Sequence, residues 1–279
     1  VPVAQRAGQS ITADVLITVK TYPNPSVKHQ EIVCTAGARI DGDRPSWIRL
    51  YPVQFRTRGD NEQFRKYEVI RLDAVSRAPA DSRVESYSPA PDSIQRIRQV
   101  DTRAKWARRR DLLSSLVGET TTCNLRASAT AKPMSVPAPS LGLIKPRVSR
   151  VVVSRGLPWS ADQLAKVKQA AAPSLFGDEL QELEPAPYDV RYEYKCMTSE
   201  CRGHAQKVLD WELGQAGRRW RREKGDTRAI SMVKEKWENQ FLDPSLDLHF
   251  YIGNQHLHRQ SFSVLGCWYP PADDQLGLF

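Results

Sequence analysis

Apolar and β-branched positions in the first third of the chain gather into short runs separated by turn residues. Ala13–Thr21 reads ADVLITVKT, apolar and β-branched, and halts at Tyr22-Pro23-Asn24-Pro25. Glu31–Ile40 (EIVCTAGARI) forms a second run and ends in the turn residues Asp41-Gly42-Asp43. Trp47–Val53 (WIRLYPV) and Tyr67–Val75 (YEVIRLDAV) alternate bulky and polar side chains. Four short strands separated by turn signals predict a small barrel or sandwich. A helix over Ser26–Cys34, capped by Ser26, is the alternative for the second run.

The pattern then changes. Arg77–Pro91 is a connector rich in Ala, Ser and Pro, and Ser93–Val117 predicts a helix with Ile94, Ile97, Leu113, Leu116 and Val117 as its apolar positions. Thr120–Pro139 is a low-complexity stretch of Thr, Ala, Ser and Pro, either an exposed linker or a long ordered connection. It divides the chain into expected domains at residues 1–130 and 140–279.

The second part mixes both periods. Arg147–Arg155 and Asp189–Cys196 predict strands. Ser160 and Gln163 form a capping box, opening a helix closed by Pro173. Leu209, Leu213, Ala216 and Trp220 make the stripe of a helix over His204–Arg222. Asp226 caps another helix, with Ile230, Val233, Trp237 and Phe241 on one face. Leu248–Asn254 and Ser261–Tyr269 predict a closing hairpin.

Composition narrows the class. At 279 residues two cores are expected. Mean hydropathy is −0.53, and no apolar run approaches bilayer-spanning length. Val1–Val19 shows no basic stretch followed by an apolar one, so no signal peptide is expected. Five scattered cysteines do not suit a disulfide scaffold. A soluble, cytoplasmic protein with no membrane contact follows. The net charge of +9 is uneven: residues 1–155 hold 26 Lys/Arg against 14 Asp/Glu, and residues 156–279 hold 15 against 18. A basic half beside a mildly acidic half points to a polyanionic partner, with nucleic acid first.

Three clusters of cations carry that expectation. Arg96, Arg98, Arg103, Lys105, Arg108, Arg109 and Arg110 crowd around Trp106. Arg49, Arg56 and Arg58, with Arg65 and Lys66, lie among the aromatic residues of the strands, and Arg218–Lys224 surrounds Trp220. Cations neutralise phosphates, and aromatic rings stack on unpaired bases.

The metal-ligating signal is Cys196-x4-Cys201-x2-His204, three ligands within nine residues after a strand. Thiolate and imidazole select Zn²⁺ over hard cations. A structural site needs a fourth protein ligand. His249, His256, His258 and Cys267 on the final hairpin are candidates, with His256 taken as the fourth. A catalytic zinc would keep water there instead. Asp210 and Glu212, two apart on the expected helix, splay about 200° and cannot pair as acid and base from that helix alone. Phosphate-loop, dinucleotide, nucleophile-elbow and His-Glu-x-x-His motifs are all absent from the sequence.

The runs Glu31–Gly37, Trp47–Pro52 and Tyr67–Ile70 resemble the opening of uncharacterised bacterial proteins with OB-like domains, over roughly residues 13–75. Tyr-x-Cys-x4-Cys-x-Gly-His, with Asp-Trp-Glu and a final Tyr-Pro-Pro, is similar to a C-terminal pattern in bacterial proteins of unknown function. The resemblance implies an OB barrel, which commonly binds single strands across one sheet face. It supplies no catalytic residues.

The expected fold class is therefore α+β: an N-terminal OB-like β-barrel, then a C-terminal α+β domain with a zinc loop. The expected function is a nucleic-acid-binding subunit, for DNA or RNA, of a bacterial nucleic-acid-processing or antiviral defence system. Its C-terminal domain would contact a protein partner or a second part of the nucleic acid. A binding protein is favoured over an enzyme. The alternatives are a metal-dependent nuclease using Cys196, Cys201, His204 and the His256/His258 hairpin, and an antitoxin-like or scaffold protein.

Overall fold

The computed structural model describes residues 8–26, 30–53, 63–171, 182–256 and 258–272. Its strands are β1 (Ser10–Lys20), β2 (Asn24–Ser26), β3 (Gln30–Arg39), β4 (Ser46–Val53), β5 (Glu68–Ser76), β6 (Ser86–Pro89), β7 (Gln95–Gln99), β8 (Leu141–Ile144), β9 (Pro146–Arg155), β10 (Tyr188–Cys196), β11 (His204–Lys207), β12 (His249–Gln255) and β13 (His258–Trp268). The helices are α1 (Arg103–Leu113), α2 (Thr122–Ala131), α3 (Ala161–Ala171), α4 (Trp211–Lys224) and α5 (Asp226–Lys234), the last running into a π-helical turn, Glu235–Gln240.

Five N-terminal strands close into a barrel in the order β1-β3-β4-β6-β5, with β5 pairing back onto β1. Every pair in the ring is antiparallel except β4 with β6. Closure removes the sheet edges. The barrel interior holds Ala13, Val15 and Ile17 of β1 with Ile48, Leu50, Ile70 and Leu72. Leu16, between Val15 and Ile17, points the other way and joins a second core. A strand buried on both faces reads as a continuous apolar run, which is what LITV in β1 is.

That second core is shared. Leu16, Ala36, Ala38 and Val69 from the barrel wall pack with Leu141, Leu143, Tyr251 and Leu265 from the sheet β8-β12-β13. The opposite face of this sheet, with Ile144, Phe250, Ile252 and Val264, covers a third core. There it meets α2, α4 and α5 and the inner face of the sheet β9-β10-β11, through Tyr188, Val190, Tyr192 and Tyr194. The sheet β8-β12-β13 thus lies between the barrel and the third core, where the two C-terminal sheets meet directly, Tyr192 of β10 lying 4.6 Å from Phe250 of β12, and the helices pack around them.

Polar contacts also join the halves. Lys66 Nζ lies 2.8 Å from Asp210 Oδ2, with both side chains buried. Arg49 Nη2 donates to Ser140 Oγ at 3.0 Å, and Tyr22 N–H donates to the Leu209 carbonyl at 2.8 Å. A Cβ at Gly214 would stand 2.2 Å from the Tyr22 ring, so only glycine lets α4 approach the end of β1 this closely. No helix among the described residues is long and apolar enough to cross a membrane.

Three elements differ from the sequence expectation. Ser93–Val117 is not one helix: β7 comes first, then a left-handed turn at Ala104, Lys105 and Trp106 (φ 49°, 52° and 67°), then the regular part of α1. Strand β7 pairs with β5 but is exposed along its length, so its side chains carry no apolar period. His204–Lys207 is a strand, and the following helix starts only at Trp211, where Asp210 caps it. The low-complexity stretch contains α2, which sends Leu125 and Ala129 into the C-terminal core. The capping box is present: Ser160 N–H donates to Gln163 Oε1 and Gln163 N–H to Ser160 Oγ. Pro173 lies outside the described residues.

Candidate metal centre and basic surface

Strand alternation delivers the first cysteine. In β10 the inward residues are Tyr188, Val190, Tyr192, Tyr194 and finally Cys196. The chain turns back through Cys201 and Gly203, whose φ of +108° suits glycine. It then pairs His204 opposite Tyr194. The turn is held by the Cys196 N–H, which donates to Cys201 Sγ at 3.2 Å. The fourth group comes from 73 residues before Cys196. Thr121 caps α2 by accepting the Asn124 N–H at 3.1 Å, which places Cys123 in the first turn of that helix.

Cys123, Cys196, Cys201 and His204 bring their ligand atoms within 4.8 Å of one another. His204 Nε2 lies 3.4 Å from Cys123 Sγ, 3.4 Å from Cys196 Sγ and 3.3 Å from Cys201 Sγ. Tetrahedral Zn²⁺ with its usual bond lengths would set N···S edges of about 3.6 Å. The cluster fits that geometry with only a small expansion. Around it, Tyr194 packs against His204 with ring centroids 5.2 Å apart and planes tilted by 40°, accepts from Thr122 Oγ1 at 2.7 Å and donates to Gln206 Oε1 at 2.7 Å.

The electrostatics suit a cation. Burial first, then the neighbouring sulfurs, push the Cys123 thiol up to about 12. Burial also opposes ionisation of Cys201, but the backbone N–H groups of Cys196 and Gly203 outweigh it and hold that thiol below its ordinary value. Burial and the Arg126 guanidinium keep His204 below its usual range, hence neutral and able to ligate.

His256 does not join this cluster. Its Nδ1 lies 3.3 Å from Asp81 Oδ1, against the barrel, so Cys123 and not His256 is the fourth group. His249 is buried with Nδ1 on the Asp247 carbonyl, His258 is exposed, and Cys267 is buried near Lys66 and Asp210. Asp210 and Glu212 do not splay as expected. Both face Lys66, at 2.8 and 3.6 Å, because Asp210 caps the helix from outside and is free of its 100° rotation. Burial works against the Lys66 ammonium, but the two carboxylates outweigh it and hold it above its ordinary value.

The expected nucleic-acid cations separate into two groups. Arg98, Arg103, Lys105 and Arg108 are exposed on β7 and α1. Arg96 is partly exposed and paired to Glu68 at 2.5 Å. Arg49 is 2% exposed and committed to Ser140, so it cannot reach a ligand. Arg109 is buried between Tyr67 (3.8 Å) and Trp106 (4.8 Å) and donates to the Val100 carbonyl. Arg110 donates to the carbonyls of Lys105 and Pro271. Arg49 and Arg109 are therefore parts of the fold rather than of a surface. Arg56 and Arg58 lie outside the described residues.

Residues 118–279 match the family described as Domain of unknown function (DUF8757), and residues 11–115 match Domain of unknown function (DUF8758). The chain belongs to the DUF8757 family. No curated protein matches it. All four cluster residues fall inside the DUF8757 segment, whereas β7 and α1 with their exposed cations fall inside the DUF8758 segment. The shared core joins the two segments across their boundary.

Proposed function

We propose that this chain is a nucleic-acid-binding protein whose C-terminal half is ordered by one zinc ion. The observation that carries the binding reading is the exposed group Arg98, Arg103 and Arg108, with Lys105 on the same turn, against the outside of a closed OB-like barrel. Of the three arginines, only Arg103 has a carboxylate within ion-pair distance among the described residues: Asp101, 3.4 Å away and itself exposed. Such a group neutralises phosphates. Three thiolates and one imidazole are the donor set of structural zinc, and with Cys123 in place the protein fills all four positions. That arrangement leaves no position for an activated water, on which the nuclease alternative depends.

The test replaces Arg98, Arg103 and Arg108 together with Gln. The slope of log affinity against log salt should flatten by about 2 to 3, at about 0.7 to 0.9 for each phosphate no longer neutralised. Arg109→Gln should instead lower stability. A triple variant that binds with the unaltered slope would defeat the assignment.

A further inference from the structure

The outer face of the sheet β9-β10-β11 presents cations directly opposite one another. Along β10 the outward residues are Asp189, Arg191, Glu193 and Lys195, since the alternate residues are buried. The register sets Arg191 opposite Lys207 of β11 and Lys195 opposite Arg147 of β9. Like charges in directly opposed cross-strand positions destabilise a sheet. Two such pairs on one face, one on each side of the central strand, lower stability without any gain in packing.

Neighbouring acids relieve this only in part. Asp189 pairs with Lys207 at 2.8 Å, and Glu193 with Arg150 at 3.7 Å. Among the described residues, Arg147, Arg191 and Lys195 have no carboxylate within ion-pair distance, and all three are exposed. The inner face packs on the C-terminal core, while the outer face carries only Val152, Ala205 and small polar residues besides its charges. No aromatic residue of these three strands projects from it. Like the cation rows themselves, that composition fits phosphates and offers nothing to stack on bases. The face is hidden at the level of sequence, where residues 156–279 sum to a net negative charge.

We infer that this sheet face is a second nucleic-acid contact, binding the sugar–phosphate backbone without regard to sequence. It rests on the nucleic-acid reading above, but uses a different surface. About four residues of strand, roughly 13 Å, separate the Arg191 row from the Lys195 row, so a backbone strand can engage both rows at once.

The test is the full-length triple variant Arg147→Gln, Arg191→Gln, Lys195→Gln, titrated with duplex DNA of two unrelated sequences. The expected result is a salt slope flattened by about 2 to 3 on both sequences, with an unchanged or higher melting temperature because like-charge pairs are relieved. If the slope stays at the wild-type value while the β7–α1 variant flattens it, this inference is overturned and the proposed function stands. A wild-type protein that binds no nucleic acid overturns both. A lower melting temperature in the variant would make the cations structural and overturn the inference. So would poly-glutamate binding with the same slope and the same weakening in the variant, since the face would then attract anions at large.

Discussion

Cys123→Ser is the sharpest perturbation of the proposed zinc site, because Cys123 is the one member of the cluster that comes from outside the β10–β11 turn. Loss of an outer-shell partner typically costs a metal site about 10- to 100-fold in affinity. Loss of a ligand should cost at least about 100-fold, or about 3 kcal/mol. Because binding energy at a structural zinc is folding energy, that cost should appear as stability. At this chain length about 3 kcal/mol corresponds to about 5 °C in melting temperature. The effect should also be local. Without the Cys123 anchor, α2 is still held by its Thr122–Tyr194 bond and the packing of Leu125 and Ala129. Amide exchange should therefore rise first in Thr122–Ala131. The assay is zinc competition against a chelator, with melting and exchange on the same samples. Cys34→Ser, on β3, and His256→Ala serve as controls that should keep the metal. A Cys123→Ser protein with wild-type zinc affinity and melting temperature, or a His256→Ala protein that loses zinc, would refute the reasoning.

Two further outcomes follow from buried charges. Lys66→Met leaves Asp210 buried without its cation and should cost about 3–5 kcal/mol; adding Asp210→Asn, which keeps a capping side chain, should recover part of it, as a double-mutant cycle of chemical denaturation would read. Asp81 is 1% exposed; burial works against its carboxylate, but Arg83 at 2.7 Å and the Ser86 hydroxyl outweigh that and hold it below the usual carboxylate range. A carboxylate depressed by folding contributes stability above the unfolded value of about 3.9 and loses it as pH falls below that. Asp81→Asn should therefore destabilise the protein at pH 7 and progressively less below about pH 4, and an equal cost at all pH values would contradict the assignment.

The barrel is largely legible in the sequence because β1, β3, β4 and β5 carry β-branched runs bounded by turn residues. What the alternation cannot reveal is a second domain packed on the barrel wall. Arg49 sits in WIRLYPV at an outward position, and outward normally means solvent. Here the C-terminal half covers it, so its guanidinium is committed to Ser140. The Cys196, Cys201 and His204 ligands are visible from their spacing. Cys123 is not, because low complexity masks α2. The available signal is Thr121 as a cap followed by Leu125 and Ala129, four apart, which mark the first turn of a helix and put Cys123 in it. Strand β7 reads as helix because Ile94 and Ile97 are three apart, although Ile97 is 44% exposed. The basic face of the β9-β10-β11 sheet draws on residues from both sides of the charge boundary and exists only through strand register.

Phosphate recognition by exposed cations is tested most directly by the affinity of the wild-type protein for a short labelled duplex across a salt series. With at least three phosphates engaged, raising salt from about 50 to about 200 mM should weaken binding by about 40-fold or more. An affinity that stays flat over that range, or no binding at the lower salt, would contradict it.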